Sequence, residues 1–186
     1  MDLHTSQKIR AQLSPGESLV WSGRPKRGIV FRGSDVFLIP FSLLWGGFAF
    51  YWEYTAYTSG APVFFLLFGG FFVIMGLHLI IGRFISDALI RGSTYYGVTN
   101  ERVLILSEFP SSRSKSLALA NLSDLSFTSK ADGSGSIAFG PQHPAASMMG
   151  GAHWPGMSKH QSPSFDLIPD AKNVFDKIQH TQRRLR

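Results

Sequence analysis

Val36–Trp52 reads VFLIPFSLLWGGFAFYW, and Pro62–Ile81 reads PVFFLLFGGFFVIMGLHLII. The first run is seventeen residues without a charge, and the second is twenty residues whose sole ionisable group is His78. At about 1.5 Å rise per residue, helices of these lengths reach roughly 25 and 30 Å, close to the hydrocarbon thickness of a bilayer. Glu53 is the only charged residue between Asp35 and Arg83. Two such runs in succession, joined by the nine-residue linker Glu53–Ala61, read as a transmembrane hairpin over residues 36–82. The hairpin separates an N-terminal segment, 1–35, from a C-terminal part, 83–186.

The basic residues orient the hairpin. Lys8, Arg10, Arg24, Lys26, Arg27 and Arg32 precede it, Arg83 and Arg91 follow it, and the linker has no Lys or Arg. The positive-inside rule then places both termini in the cytoplasm. Tyr51, Trp52, Tyr54 and Tyr57 crowd the opposite end, where aromatic rings suit the lipid–water boundary. The expected location is a bacterial inner membrane, crossed twice. Lys26, Arg27, Arg32, Arg83 and Arg91 flank the spans and are the candidate membrane-surface residues, facing anionic headgroups. Positive-inside bias and lipid attraction also account for the net charge of +6, so nucleic acid is not an expected partner. There are no cysteines, which excludes disulfides, thiolate metal sites and a thiol nucleophile. The first 35 residues lack the apolar core of a cleavable signal peptide. Within the spans, Gly46-Gly47, Gly69-Gly70 and Gly76 permit close helix approach. Pro40 is tolerable inside such a helix, and His78 near the inner end reads as interface packing.

Elsewhere the pattern is mostly strand. Glu17–Ser22 is a short apolar run bounded by Pro15-Gly16 and Gly23-Arg24-Pro25. Arg83–Arg91 continues the second span as an amphipathic helix that Gly92 can end. Strands are expected at Thr94–Val98, Arg102–Leu106, Ser114–Leu119, Asn121–Ser129 and Gly135–Phe139, with an Asp132-Gly133 turn before the last. Gly140–Ser164 reads as irregular. Pro169–Arg184 has a helical stripe of Ala171, Val174, Phe175 and Ile178, with Asp170 and Arg183-Arg184 complementing its dipole. The fold class is therefore membrane α+β. A transmembrane helical hairpin is inserted after the first strand of an antiparallel sheet or partial barrel, and a C-terminal helix caps that sheet.

Two separated motifs carry a resemblance. Pro15-Gly16-Glu17 with Trp21-Ser22-Gly23-Arg24-Pro25, and Asp87, Arg91 and Thr94–Val103 (TYYGVTNERV), resemble the opening and core motifs of bacterial pleckstrin-homology-like (bPH) membrane proteins. Gly133–Gly140 and Phe165–Ala171 are similar to that family's closing strand and helix entry. The resemblance implies a curved antiparallel sheet capped by a helix and attached to two spans. It implies roles in envelope stress or membrane-complex assembly rather than one chemistry. The phosphoinositide binding of eukaryotic relatives is not implied, because no basic cage occupies a loop between the first two strands.

No nucleophile elbow, zinc-protease helix motif, P-loop or dinucleotide fingerprint is present, so no enzyme activity and no cofactor are expected. Asp166 and Asp170 read as helix-entry residues. The segment His143–His160 gathers His143, Met148, Met149, His153, Met157 and His160. Thioether and imidazole are Cu(I) ligands, yet the spacing forms no compact site, and Met equally suits adaptable apolar contact. A partner- or membrane-contact loop is the preferred expectation there, with copper as the alternative. The leading functional expectation is a membrane-anchored adaptor that binds a partner protein at the cytoplasmic face. An accessory or assembly subunit of a larger membrane complex is the alternative, and an anionic-lipid-binding module is the second alternative.

Overall fold

The structure is a computed structural model that describes residues 2–130, 132–141 and 162–185. The His/Met segment His143–His160 lies outside the described residues. The chain begins with helix α1 (Leu3–Arg10), then strand β1 (Leu19–Gly23), then the hairpin helices α2 (Asp35–Thr58) and α3 (Val63–Leu77). A π-helical turn, His78–Gly82, runs without a break into α4 (Arg83–Gly92). The strands β2 (Thr94–Thr99), β3 (Arg102–Ser107), β4 (Arg113–Ala118), β5 (Leu125–Ser129), β6 (Gly135–Phe139) and β7 (Ser164–Ile168) follow, and α5 (Ala171–Arg183) closes the chain.

α2 extends one and a half turns beyond the charge-free run, because nothing in Glu53–Thr58 breaks a helix. The linker therefore shrinks to Ser59–Pro62. Both long helices, 35–58 and 63–92, are long and apolar enough to cross a membrane. They differ from the core helices of a soluble protein in burial. Phe37, Leu44, Phe64, Leu67 and Ile74 are all more than two-thirds exposed. At about 1.5 Å per residue, the 30 residues from Val63 to Gly92 extend roughly 45 Å, longer than a bilayer core is thick, and their last turns, α4, are called the stalk.

The hairpin helices meet at glycines. A Cβ added to Gly76 would lie 3.0 Å from the Cα of Gly46, and one added to Gly69 would overlap Trp52 and Glu53. Gly47 and Gly70 face open space. Of the small residues read as contact positions, Gly46, Gly69 and Gly76 make the approach and the other two do not.

The strands form two antiparallel sheets, β1-β2-β3-β4 and β5-β6-β7. β2 pairs with β3 from Thr94↔Ser107 to Val98↔Val103, and β3 pairs with β4 over six positions without a bulge. The core lies between the sheets and under α5. It is built from Tyr96, Val98, Val103, Leu119, Ile137, Phe139, Phe165, Ile168, Val174 and Ile178. Phe165 sits at its centre, with ring centroids 4.5 Å from Tyr96 and 5.0 Å from Phe139. One corner between the sheets is closed where the Lys26 N–H donates to the Leu167 carbonyl at 2.8 Å. At the other corner, β4 and β5 are joined by a 3₁₀ turn, Leu119–Asn121, without pairing.

Four elements differ from the sequence expectation, the first being β7 (Ser164–Ile168), a strand that takes Asp166 out of the expected helix entry. α1 carries no strong helical pattern; it is held by Asp2, whose carboxylate accepts from the His4 N–H, and by Ile9 packing on Tyr95 and Leu104. A Cβ on Gly97 would lie 2.6 Å from Ile9 Cγ2, so glycine there lets α1 seat on the sheet. The expected strand Asn121–Ser129 starts only at Leu125. The last helix starts at Ala171 rather than Pro169, because Asp170 adopts a left-handed φ of 51°.

Candidate functional site

Polar residues gather where the hairpin joins the β-domain. Asp35 opens α2 and is buried; its carboxylate accepts from Arg83 Nη1 at 2.6 Å and from the Arg32 N–H, also at 2.6 Å. One helical turn beyond Arg83, Asp87 bridges two arginines. Arg32 Nη2 lies at 3.1 Å, and Arg91, at the i+4 position, lies at 2.7 Å. The same Arg32 nitrogen reaches Asp166 on β7 at 2.8 Å. The other Asp166 oxygen accepts from Ser136 Oγ on β6 at 3.0 Å, and the Asp166 N–H donates to the Tyr96 hydroxyl at 3.1 Å. Arg91 is 3% exposed and donates to the carbonyls of Lys26 and Gly28, the latter at 2.7 Å. This Arg32 clamp ties the segment after β1, the stalk α4 and both sheets into one network.

The clamp fixes ionisation as well as position. Burial opposes the charge of Arg32, but the carboxylates of Asp166 and Asp87 prevail and hold its pKa above the ordinary value. Burial pushes the Tyr96 phenol upward, so it remains a neutral donor and acceptor. Two nitrogens of Arg83, Nε and Nη2, are buried without a hydrogen-bond partner among the described residues, while its guanidinium stacks over Phe84 at 4.3 Å.

A second cluster joins the two motifs that carried the resemblance. Glu17 is 1% exposed at its side chain and receives a two-point contact from Arg102, with Nε and Nη2 each at 2.8 Å. The Thr99 hydroxyl donates to Glu17 Oε1 at 2.6 Å, and the Ser14 N–H donates to Oε2 at 2.8 Å. Beside it, Asn100 Oδ1 accepts from the Ser18 N–H at 2.7 Å. The Arg102 contact, opposed by burial and aided by Thr99, lowers the Glu17 pKa from 4.5 to about 2. This Glu17 latch fastens the entry of β1 to the β2–β3 turn, across the whole hairpin insertion. Its role is structural: both Glu17 oxygens and Arg102 Nε and Nη2 are taken up by other groups of the same chain.

Among the residues expected at a membrane surface, Arg27 is exposed, and Lys26 pairs with Asp132 at 3.1 Å. Arg32, Arg83 and Arg91 are brought together, but as the interior of the clamp with their own carboxylates. Sequence reasoning did not single out Asp35, Ser136 or Tyr96. The Asp87–Arg91 spacing was visible as an i,i+4 pair, whereas Arg32 and Asp166 are 134 positions apart and leave no local signal.

The surface offers two further features. β4 ends its sheet, and all its residues except Leu117 are exposed. An open groove of about 550 Å³ runs between the start of β1 and α5, lined by Val20, Asn100, Lys177, His180 and Arg184 among others. Comparison of the chain with protein-family models, with curated proteins and with solved structures finds no match in any of the three.

Proposed function

We propose that this protein is a non-enzymatic adaptor of the bacterial inner membrane. Its two-span hairpin holds a pleckstrin-homology-like domain close to the cytoplasmic face, and that domain binds a partner protein through an exposed strand edge. The observation that carries this reading is the Arg32 clamp, with one arginine bridging stalk Asp87 and strand Asp166. A merely tethered domain needs no such bridge, whereas a domain that must present one face at a fixed height above the membrane does. The outward apolar faces of α2 and α3 support burial in lipid, and the edge of β4, unpaired among the described residues, supports pairing with an added strand.

An accessory subunit held in a larger complex through its spans is the second reading, favoured by the phenylalanine-rich exposed faces of the hairpin. Affinity purification of the intact chain in mild detergent separates the two. The adaptor loses its partner when residues 93–186 are removed. Recovery of the same stable complex after that deletion assigns binding to the spans and sinks the adaptor.

A further inference from the structure

We infer that the partner presents an acidic, extended segment that adds to β4 as a fifth strand of the first sheet, an inference that rests on the adaptor reading above. Four strand edges are available, and they are not equivalent. β1 is short and carries a bulge between Leu19 and Trp21. β7 is interrupted at Leu167, whose φ is 48° and whose carbonyl is already taken by Lys26. β5 is five residues long, carries no charged side chain to select an occupant, and lays Phe127 against Phe175 of α5 at 5.3 Å. β4 alone is six residues long, in unbroken register with its neighbour and exposed along nearly its whole length.

Its chemistry selects the occupant. Both charged residues of β4, Arg113 and Lys115, are basic and exposed. They alternate with Ser114 and Ser116, so with Leu117 they share the face that continues the core, about 7 Å apart along the strand. Elsewhere Lys8, Arg24, Lys26, Arg32, Arg83, Arg91 and Arg102 sit against carboxylates, whereas Arg10, Arg27, Lys130, Lys172, Lys177, Arg183 and Arg184 form no ion pair among the described residues but do not lie on an edge strand's pairing segment. Among the described residues, Arg113 contacts only the Ser111 hydroxyl, at 3.1 Å, and Lys115 has no ion pair. Basic residues on an edge strand guard against indiscriminate pairing. A second copy of β4 would bring like charges together, which is unfavourable in a cross-strand pair. An incoming strand with Glu or Asp at alternate positions meets both cations and completes the ladder. Lipid explains the pattern less well, because Lys115 and Leu117 lie progressively farther than Arg113 from the stalk end of the sheet, where Arg113 pairs with Ser107 and Ser107 with Thr94.

The test uses the full chain in nanodiscs of zwitterionic lipid and a fluorescent octapeptide of alternating Glu and Val. Its controls are the Gln-for-Glu peptide and a version N-methylated at alternate backbone nitrogens. Saturable anisotropy binding is expected, with slowed amide exchange at residues 113–118. Arg113→Glu with Lys115→Glu should weaken binding about tenfold or more, and both control peptides should lose it. Equal binding by the N-methylated peptide overturns strand addition and leaves a charged patch. Peptide failure together with Arg113- and Lys115-dependent binding to phosphatidylglycerol vesicles assigns the edge to the membrane instead. If no peptide binds but a purified partner is retained by the charge-reversed chain, this inference fails while the adaptor stands. If the intact chain retains no partner through residues 93–186, the adaptor fails first.

Discussion

The Glu17 latch and the Arg32 clamp sit near opposite ends of β2, and they spend charge differently. The latch concentrates one buried carboxylate on one arginine, with Thr99 and Ser14 filling its remaining lone pairs. The clamp spreads three arginines over three aspartates and adds Ser136, Tyr96 and two backbone carbonyls. Removing Arg102 from the latch strands the Glu17 carboxylate, whose side chain is buried. Removing a partner from the clamp leaves the others to share the load. The latch therefore belongs to the folding of the β-domain, and the clamp to its placement against the hairpin.

The largest effect should come from the latch. Arg102→Met leaves Glu17 buried and uncompensated, and should lower the stability of the β-domain by about 3 kcal/mol in urea unfolding of the detergent-solubilised chain. A loss under about 0.5 kcal/mol would place Glu17 in effective contact with solvent. The same cluster sets a pH dependence. The Glu17 pKa is depressed when folded, so its contribution is fully present above the unfolded value of 4.5 and fades as pH falls toward about 2. Urea midpoints for the native chain should fall across that window. Glu17→Gln should start lower and show a shallower slope there.

Much of this comparison could be read from the chain. The two apolar runs, the bounding of β2 and β3 by Thr99-Asn100-Glu101, and the Asp132-Gly133 turn rest on local chemistry, and local chemistry is what a sequence displays. The latch was half legible, since its residues lie in the two quoted motifs, yet nothing local says that Glu17 meets Arg102 across 85 positions. The clamp was the least legible. Arg32, Arg83 and Arg91 look like ordinary flanking charge, and their carboxylates come from α2, α4 and β7. α1 was invisible for a related reason: its stability comes from Ile9 resting on a sheet that forms from residues 95–104.

Clamp variants should be milder. Arg32→Met leaves Asp87 with Arg91 and Asp166 with Ser136, so a stability loss of about 1–2 kcal/mol is expected. Its distinguishing consequence is positional. Spin labels on α4 and β7 in nanodiscs should give a broader distance distribution than in the native chain, while Arg102→Met, under conditions where it remains folded, leaves that distribution narrow. Equal broadening in both would erase the division between a folding cluster and a placement cluster.

The smallest expected effect lies inside the hairpin and asks what the clamp is built upon. At Gly76 an added Cβ meets backbone, the Gly46 Cα at 3.0 Å, and backbone cannot rotate aside. Gly76→Ala must therefore part α2 from α3 by a few tenths of an ångström, at a cost of about 1 kcal/mol. Gly70→Ala enters open space and should be neutral within about 0.5 kcal/mol. Because Asp35 lies on α2 and Arg83 on α4, which continues α3 without a break, separation at Gly46 and Gly76 should also lengthen their contact, which is 2.6 Å in the native chain. Thermal denaturation in detergent reads the first difference, and the α4–β7 label distance reads the second. If Gly76→Ala lowers stability without moving that distance, the clamp holds its geometry independently of helix crossing; if both change, helix contact at the glycines is what sets the domain's position.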